Sequence, residues 1–176
     1  WDGDGVPLEE SNCAKIGSDE DKAARLAAAQ TEAAWEGVGL KPGVEVWRIE
    51  NFKVVTWDKK MYGKFHSGDS YIVLETFKQK DRDALEHNIY FWLGESTTTD
   101  EMGTAAYKTV ELDDYFGGRP TQHREVEGHE SKQFHRLFPE IMYLEGGVAS
   151  GFNRTMDDVF DTRLFHVRKT KQGIVE

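Results

Sequence analysis

Cysteine is nearly absent from this chain. Cys13 is the only one in 176 residues, so neither an internal disulfide nor a paired-thiolate zinc motif can form, and a cytosolic setting is expected. No apolar run approaches the ~18 residues of a membrane-crossing helix, and the amino end, Trp1-Asp2-Gly3-Asp4-Gly5, has neither the basic nor the apolar region of a signal peptide. Positive charge is scarce too: 22 Lys and Arg face 32 Asp and Glu, a net charge of −10. That balance argues against nucleic acid or an anionic membrane as main partner, because phosphate binding needs a basic face. Signatures of catalysis are also missing. Ser150 lacks a Gly-x-Ser-x-Gly frame, Cys13 lies in an arm without apolar period, and no glycine loop suited to phosphate is present, so no enzymatic activity is expected. A start at Trp1 in place of Met points to an excised or processed chain.

What is present suffices for one core: 38% of residues are apolar, 12% aromatic, and five are Trp. Residues 1–18 are acidic and rich in Gly and Ser, and read as a mobile arm. Residues 19–36 read as an amino-terminal helix. Ser18 and Asp21 resemble a capping box, the run Lys22 to Trp35 is Ala-rich without Gly or Pro, and Gly37-Val38-Gly39 ends it. Its weak stripe of Ala23, Leu26, Ala27, Gln30 and Ala34 predicts a helix that leans on the domain, anchored by Trp35. Strands are predicted over Val44–Ile49, Phe52–Trp57, Ser70–Phe77 and Asn88–Leu93. Tyr71-Ile72-Val73-Leu74 is apolar without alternation, the mark of a strand covered on both faces. Met102, Ala105, Ala106, Thr109, Leu112 and Phe116 recur at helical spacing, predicting a principal helix over Thr99–Phe116 stopped by Gly117-Gly118. A short helix over Ser131–Phe138, a strand over Ile141–Glu145 and a turn at Gly146-Gly147 complete an α+β chain with helices covering a mixed sheet. Arg163–Arg168 echoes the layout of Glu45–Glu50, as though a second repeat were beginning.

The acidic positions carry the chemistry. Several lie beside tight turns, where carboxylates and backbone carbonyls together supply the oxygen ligands that calcium takes. Gly68-Asp69 precedes the central strand, Asp100-Glu101 opens the principal helix, and Asp113-Asp114 closes it. Carboxylates at a helix amino end are commonly just partners of its dipole, whereas the same groups at the carboxyl end oppose it unless a cation offsets them. Asp2-Gly3-Asp4-Gly5 begins like an EF-hand loop, but its later ligands do not follow. A rival set, His123, Glu125, Glu127 and His129, alternates and would offer a zinc two imidazoles and two carboxylates if extended, although Gly128 predicts a turn that splits it. Tyr107 lies off the apolar stripe with Gly103, Val110 and Asp114 on the same side; that side is either a docking face or packed under a neighbouring loop. Arg163, His166, Arg168, Lys169 and Lys171 form the one basic cluster, a candidate for acidic lipid headgroups or a solvated strand end.

Together, Val46-Trp47-Arg48-Ile49-Glu50, Gly68-Asp69-Ser70-Tyr71-Ile72-Val73-Leu74, Tyr90-Phe91-Trp92-Leu93-Gly94 and Leu112-Asp113-Asp114-Tyr115 resemble the gelsolin and villin family. His123–Ser131 and Gly146–Phe152 strengthen the likeness and point to the first domain of such proteins, and the compact lead-in from Trp35-Glu36-Gly37 to Gly43 is most similar to the fragmin and severin members. The resemblance covers about residues 35 to 171 and implies a gelsolin-like domain, related to the actin-depolymerising fold, over residues 37–152. Residues 153–176 would then be a linker and the start of a truncated second repeat. It implies a central mixed sheet between one long and one short helix, in a cytoplasmic, cytoskeletal protein that severs filaments and caps their barbed ends. The long helix would enter the cleft between actin subdomains 1 and 3. An internal calcium site would use the Gly68 and Val148 carbonyls with the Asp69 and Glu101 carboxylates. A second calcium, shared with actin, would use Asp113 and the carbonyls of Gly118 and Pro120. Gly103, Tyr107, Val110, Asp114 and Phe152 would touch actin, with Tyr107 in place of an aliphatic contact. Arg163, Arg168, Lys169 and Lys171 would serve any phosphoinositide control. Two other readings are a calcium-independent actin-depolymerising type of module and a zinc hydrolase built on His123 and His129.

Overall fold

The computed structural model describes residues 18–79, 84–148, 168–170 and 173–175. Its centre is β4 (Ser70–Lys78), flanked by β1 (Gly43–Glu50) and β5 (Leu85–Leu93) in a five-stranded sheet that also holds β2 (Lys53–Thr56) and β6 (Thr121–Val126), in the order β2-β1-β4-β5-β6. The pairings are antiparallel except β5 with β6, which is parallel, so the sheet is mixed. β4 lies in the middle, as its unbroken apolar run predicts. Alternation sends Ile72 and Leu74 to one face with Trp47, Ile49 and Ile89, and Tyr71 and Val73 to the other with Val46, Tyr90 and Trp92.

The first face is covered by α2 (Thr99–Tyr115), which buries Ala105 and Leu112 against it. The second is covered by α3 (Lys132–Leu137), through Phe134 and the following Phe138, around which Phe65 stacks on Trp92 at 5.0 Å. A small parallel pair, β3 (Lys64–His66) with β7 (Met142–Leu144), closes that side. Both α2 ends follow their sequence signals. Thr98 Oγ1 accepts the Glu101 N–H, while at the other end the N–H of Gly117 bonds the Asp114 carbonyl and that of Gly118 the Asp113 carbonyl, a Schellman stop with Gly117 at φ 72°.

The amino-terminal helix departs from expectation. α1 spans Asp19–Thr31, capped by the Ser18 hydroxyl; Glu32 is extended, and Ala33–Trp35 forms a separate 3₁₀ turn, so residues 19–36 are not one helix. Of the expected stripe only Ala34, beyond α1, packs on the core: Ala23, Leu26, Ala27 and Gln30 are exposed, and Arg25, Ala29 and Glu32 turn inward. The reason is polar. Arg25 Nε lies 3.2 Å from Asp114, and Lys108 Nζ lies 2.6 Å from Glu32 and 3.0 Å from Glu111, so α1 is held on the flank of α2 by ion pairs, which an apolar-period search does not see. Trp35 is the anchor, fully buried edge-on to Trp47 at 5.2 Å with its indole N–H on Glu111 at 2.9 Å. The last described strands, β8 (Arg168–Thr170) and β9 (Gly173–Val175), pair with each other. β3, β9 and the first residues of β5 lie outside the sequence reading, and β6 entered it only as the alternating run that begins at His123.

Candidate metal centres and docking face

The start of β4 is built by close backbone approach. The Gly68 N–H donates to the Gly146 carbonyl at 2.7 Å, and a Cβ on Gly68 would sit 2.7 Å from that same oxygen, so only glycine is accommodated. This contact brings Gly146–Val148 over Asp69. The Asp69 carboxylate is fully buried: Oδ1 accepts the Val148 N–H at 2.7 Å, and Oδ2 pairs with Arg48 Nη2 at 2.7 Å and accepts the Tyr71 hydroxyl at 3.3 Å. Burial pushes its carboxyl above the ordinary range despite the pull of Arg48. Glu101, from the first turn of α2, is buried nearby. Its Oε2 accepts from Thr97 Oγ1 at 3.1 Å, whereas its Oε1 is buried without a hydrogen-bond partner, and burial together with the charge of Asp69 raises its pKa.

Gly68, Asp69 and Val148 are thus brought together, with Glu101 facing them. Two buried carboxylates, one holding an orphaned oxygen, are the kind of group a hard divalent cation takes, although Asp69 here is met by the Val148 N–H and by Arg48. Among the described residues no group of three or more His, Cys, Asp or Glu side chains is gathered to hold a metal, so a cation here would depend on carbonyls as well as carboxylates. Sequence reasoning missed Arg48. Its signal was a charge on β1 where Val46 and Ile49 nearby are core, and the strand register sets it opposite Tyr71, two residues from Asp69.

The second candidate centre lies at the other end of α2. Asp113 Oδ2 accepts from Gln122 Nε2 at 2.9 Å, while Oδ1 is buried and accepts no hydrogen bond. Burial, reinforced by Asp114, raises its pKa. The Schellman turn folds Gly118 back toward the Asp113 backbone, and Pro120 follows, half-buried, just before β6. The unfavourable charge at this helix end is resolved unequally. Asp114 has Arg25 as its cation, whereas Asp113 has a neutral amide.

Between these ends runs the outer face of α2. Gly103 is exposed, Tyr107 is 53% exposed, and Val110 and Asp114 are half-buried, all on the side away from the sheet. Phe152, Arg163 and Lys171 lie outside the described residues; Arg168 and Lys169 fall in β8. The zinc set is dispersed. His123 stacks on Tyr90 at 4.7 Å, Glu125 accepts from the Ser131 N–H and hydroxyl, both at 2.7 Å, and Glu127 accepts from Ser67 Oγ at 2.7 Å and the Glu95 N–H at 2.8 Å. These carboxylates are spent on fixing loops, which corrects the zinc reading.

A mixed sheet clasped between one long and one short helix, with α1 along the flank of the long helix and Gly103 and Tyr107 exposed on its outer face, defines an α+β domain. The chain belongs to the gelsolin and villin family: the family model described as Gelsolin repeat matches residues 51–135. Over 168 residues the chain is 45% identical to Gelsolin-like protein 1 of Lumbricus terrestris, covering 94% of this chain and 46% of that protein. Over 135 residues it is 54% identical to Villin-2 of Arabidopsis thaliana, covering 76% of this chain and 14% of that protein. The chain spans about half the length of the earthworm relative, or less of the others reported. Among solved structures, the Thorarchaeota 2DGel3/rabbit actin complex superposes with a TM-score of 0.50 at 23% identity, over 63% of this chain and 50% of that one; this likeness concerns the fold.

Proposed function

We propose that this chain is a calcium-dependent actin-binding domain of a cytoskeletal protein that caps filament barbed ends, with α2 as the docking helix. The observation that carries the reading is Asp113. Its carboxylate sits at the carboxyl end of α2, where the helix dipole disfavours it, with one buried oxygen that no donor reaches. A divalent cation placed there, completed by the Gly118 and Pro120 carbonyls and by an oxygen of the partner, offsets that charge only when the partner is present. Calcium would then belong to the interface. The pair of Asp69 and Glu101 would take a second calcium inside the domain and tie α2 to the start of β4.

The test is calorimetric titration of calcium into the chain alone and into its mixture with monomeric actin, corrected for actin's own cation. The expected result is one site alone and an added site in the mixture, the added one lost in Asp113→Asn. Actin binding of equal strength in calcium and in chelator would replace this reading by a calcium-independent, depolymerising type of module.

A further inference from the structure

Three local choices in this domain work against its own stability, and all three border one groove. The β1–β2 connection is a two-residue turn, since Glu50 pairs with Lys53. Both turn residues have positive φ, Asn51 at 49° and Phe52 at 64°. Such a turn favours Asn followed by Gly, and a bulky aromatic in the left-handed region is strained. Burial does not compensate Phe52, which is 56% exposed. The second choice is Gly103 in the middle of α2, where a Cβ would meet nothing within 4 Å, so packing within the domain does not require glycine. The third is Tyr107, one turn further along, which leaves half of a large ring in solvent. Phe52, Gly103 and Tyr107 line a shared open groove of about 440 Å³, with Asp100 and Lys108 also at its border.

Where a sequence breaks its local rules without gain inside the fold, the gain is sought in binding. We propose that the tip of the β1–β2 turn is part of the docking surface, and that Phe52 and Tyr107 clasp an apolar segment of actin laid over Gly103. The inference rests on the reading of α2 as the docking helix and extends that surface across to the sheet edge. Glycine at 103 lets the partner approach the helix backbone, and the two rings supply apolar walls of low conformational cost. An apolar occupant is favoured because the walls are aromatic, while Lys108 is already engaged by Glu32 and Glu111.

The experiment measures thermal melting and affinity for monomeric actin, in calcium, for the full chain and for Phe52→Gly, Gly103→Leu and Val110→Asp. Val110 lies on the outer face but does not line the groove. Phe52→Gly removes the strain along with the ring, so the expected result is a melting temperature equal to or above wild type with affinity at least tenfold weaker. Gly103→Leu fills the groove and is expected to weaken binding to a similar degree while the helix stays folded. If Val110→Asp weakens binding but Phe52→Gly and Gly103→Leu do not, the groove proposal is overturned and the docking helix stands. A lowered melting temperature in Phe52→Gly with unchanged affinity also overturns it, making Phe52 a packing residue. If the wild-type chain does not bind actin, the functional reading fails and the groove proposal with it.

Discussion

Arg48 and Asp69 form a buried ion pair, and the cost of such a pair is felt when one member is removed. Arg48→Met should destabilise the calcium-free domain by about 3–5 kcal/mol, because Asp69 is left charged and fully enclosed. Calcium at a hundred times its Kd would add about 2.7 kcal/mol to any state that binds it, so urea melts in calcium should recover part of the loss, and an equal loss in calcium and chelator would count against a cation at Asp69. Glu101→Gln should behave in the opposite way. It removes a buried charge whose Oε1 has no donor while leaving an acceptor for Thr97 Oγ1, so the calcium-free domain should melt no lower than wild type. The calcium-induced rise in melting temperature should disappear. Asp69, Glu101 and Asp113 were legible in the sequence as acidic groups beside turns, with Gly68 as the turn residue before Asp69. Arg48 and Arg25 were not, because each meets its carboxylate through strand register or helix packing between separate elements, and a single sequence carries no trace of that pairing; Gln122, nine residues from Asp113, meets it only once the chain turns from α2 into β6.

The contact of α1 with α2 illustrates the same limit for a whole helix. The Ala-rich run and its cap were readable, but the inward side carries the charged Arg25, and Glu32, the extended residue that ends the helix, pairs with Lys108. β3 went unseen because three residues are too few to show a period, and β6 was visible only as the alternating run at His123 and Glu125; the place of each is set by what it pairs with. The β1, β4 and α2 signals were strong because those elements bury one or both faces. The α1 contact should therefore depend on pH. Burial alone would raise Glu32, but the hydrogen bonds from Lys108 and the Ala34 N–H outweigh it and hold its carboxyl below the ordinary value. Lys108 is correspondingly raised by its two glutamates against the effect of burial. For the carboxylate, stability is present above its unfolded pKa near 4.5 and lost as pH falls through the lower folded value; for the amine, it is present below 10.5 and lost as pH rises through the higher one. The attachment of α1 should thus be constant near neutrality and weaken in acid below about pH 4.5. Because the pair is partly solvated, its worth is about 1 kcal/mol. Hydrogen exchange of the α1 amides should show faster opening in that acid range, and Lys108→Met should show the faster exchange already at neutral pH.

With a charge of −10 spread over 176 residues, the domain has no general electrostatic attraction for acidic partners, so under the proposed function a hold on actin would have to come from one shaped surface and a bound cation. The described five-stranded sheet is covered once on each face, and one of the two covering helices, α2, leaves Gly103 and Tyr107 exposed on its outer face beside the flank that α1 occupies. One such face can occupy a monomer or the exposed subunit at a filament end. Severing asks for more, since the domain must compete with the neighbouring subunit for a buried surface, and a second attachment on the same chain raises the local concentration enough to win that competition. Linking two binding modules typically adds a factor of about 10² to 10⁴ in avidity when the linker spans both sites. In calcium, this chain should therefore block elongation from filament ends and hold monomers while fragmenting filaments slowly. A tandem of two full copies on a long flexible linker should fragment them at least tenfold faster at equal occupancy. Filament lengths and break frequencies followed by microscopy decide the matter: equal rates for the single chain and the tandem would mean that one α2 face suffices to pry subunits apart, and that the single-attachment account of this domain is wrong.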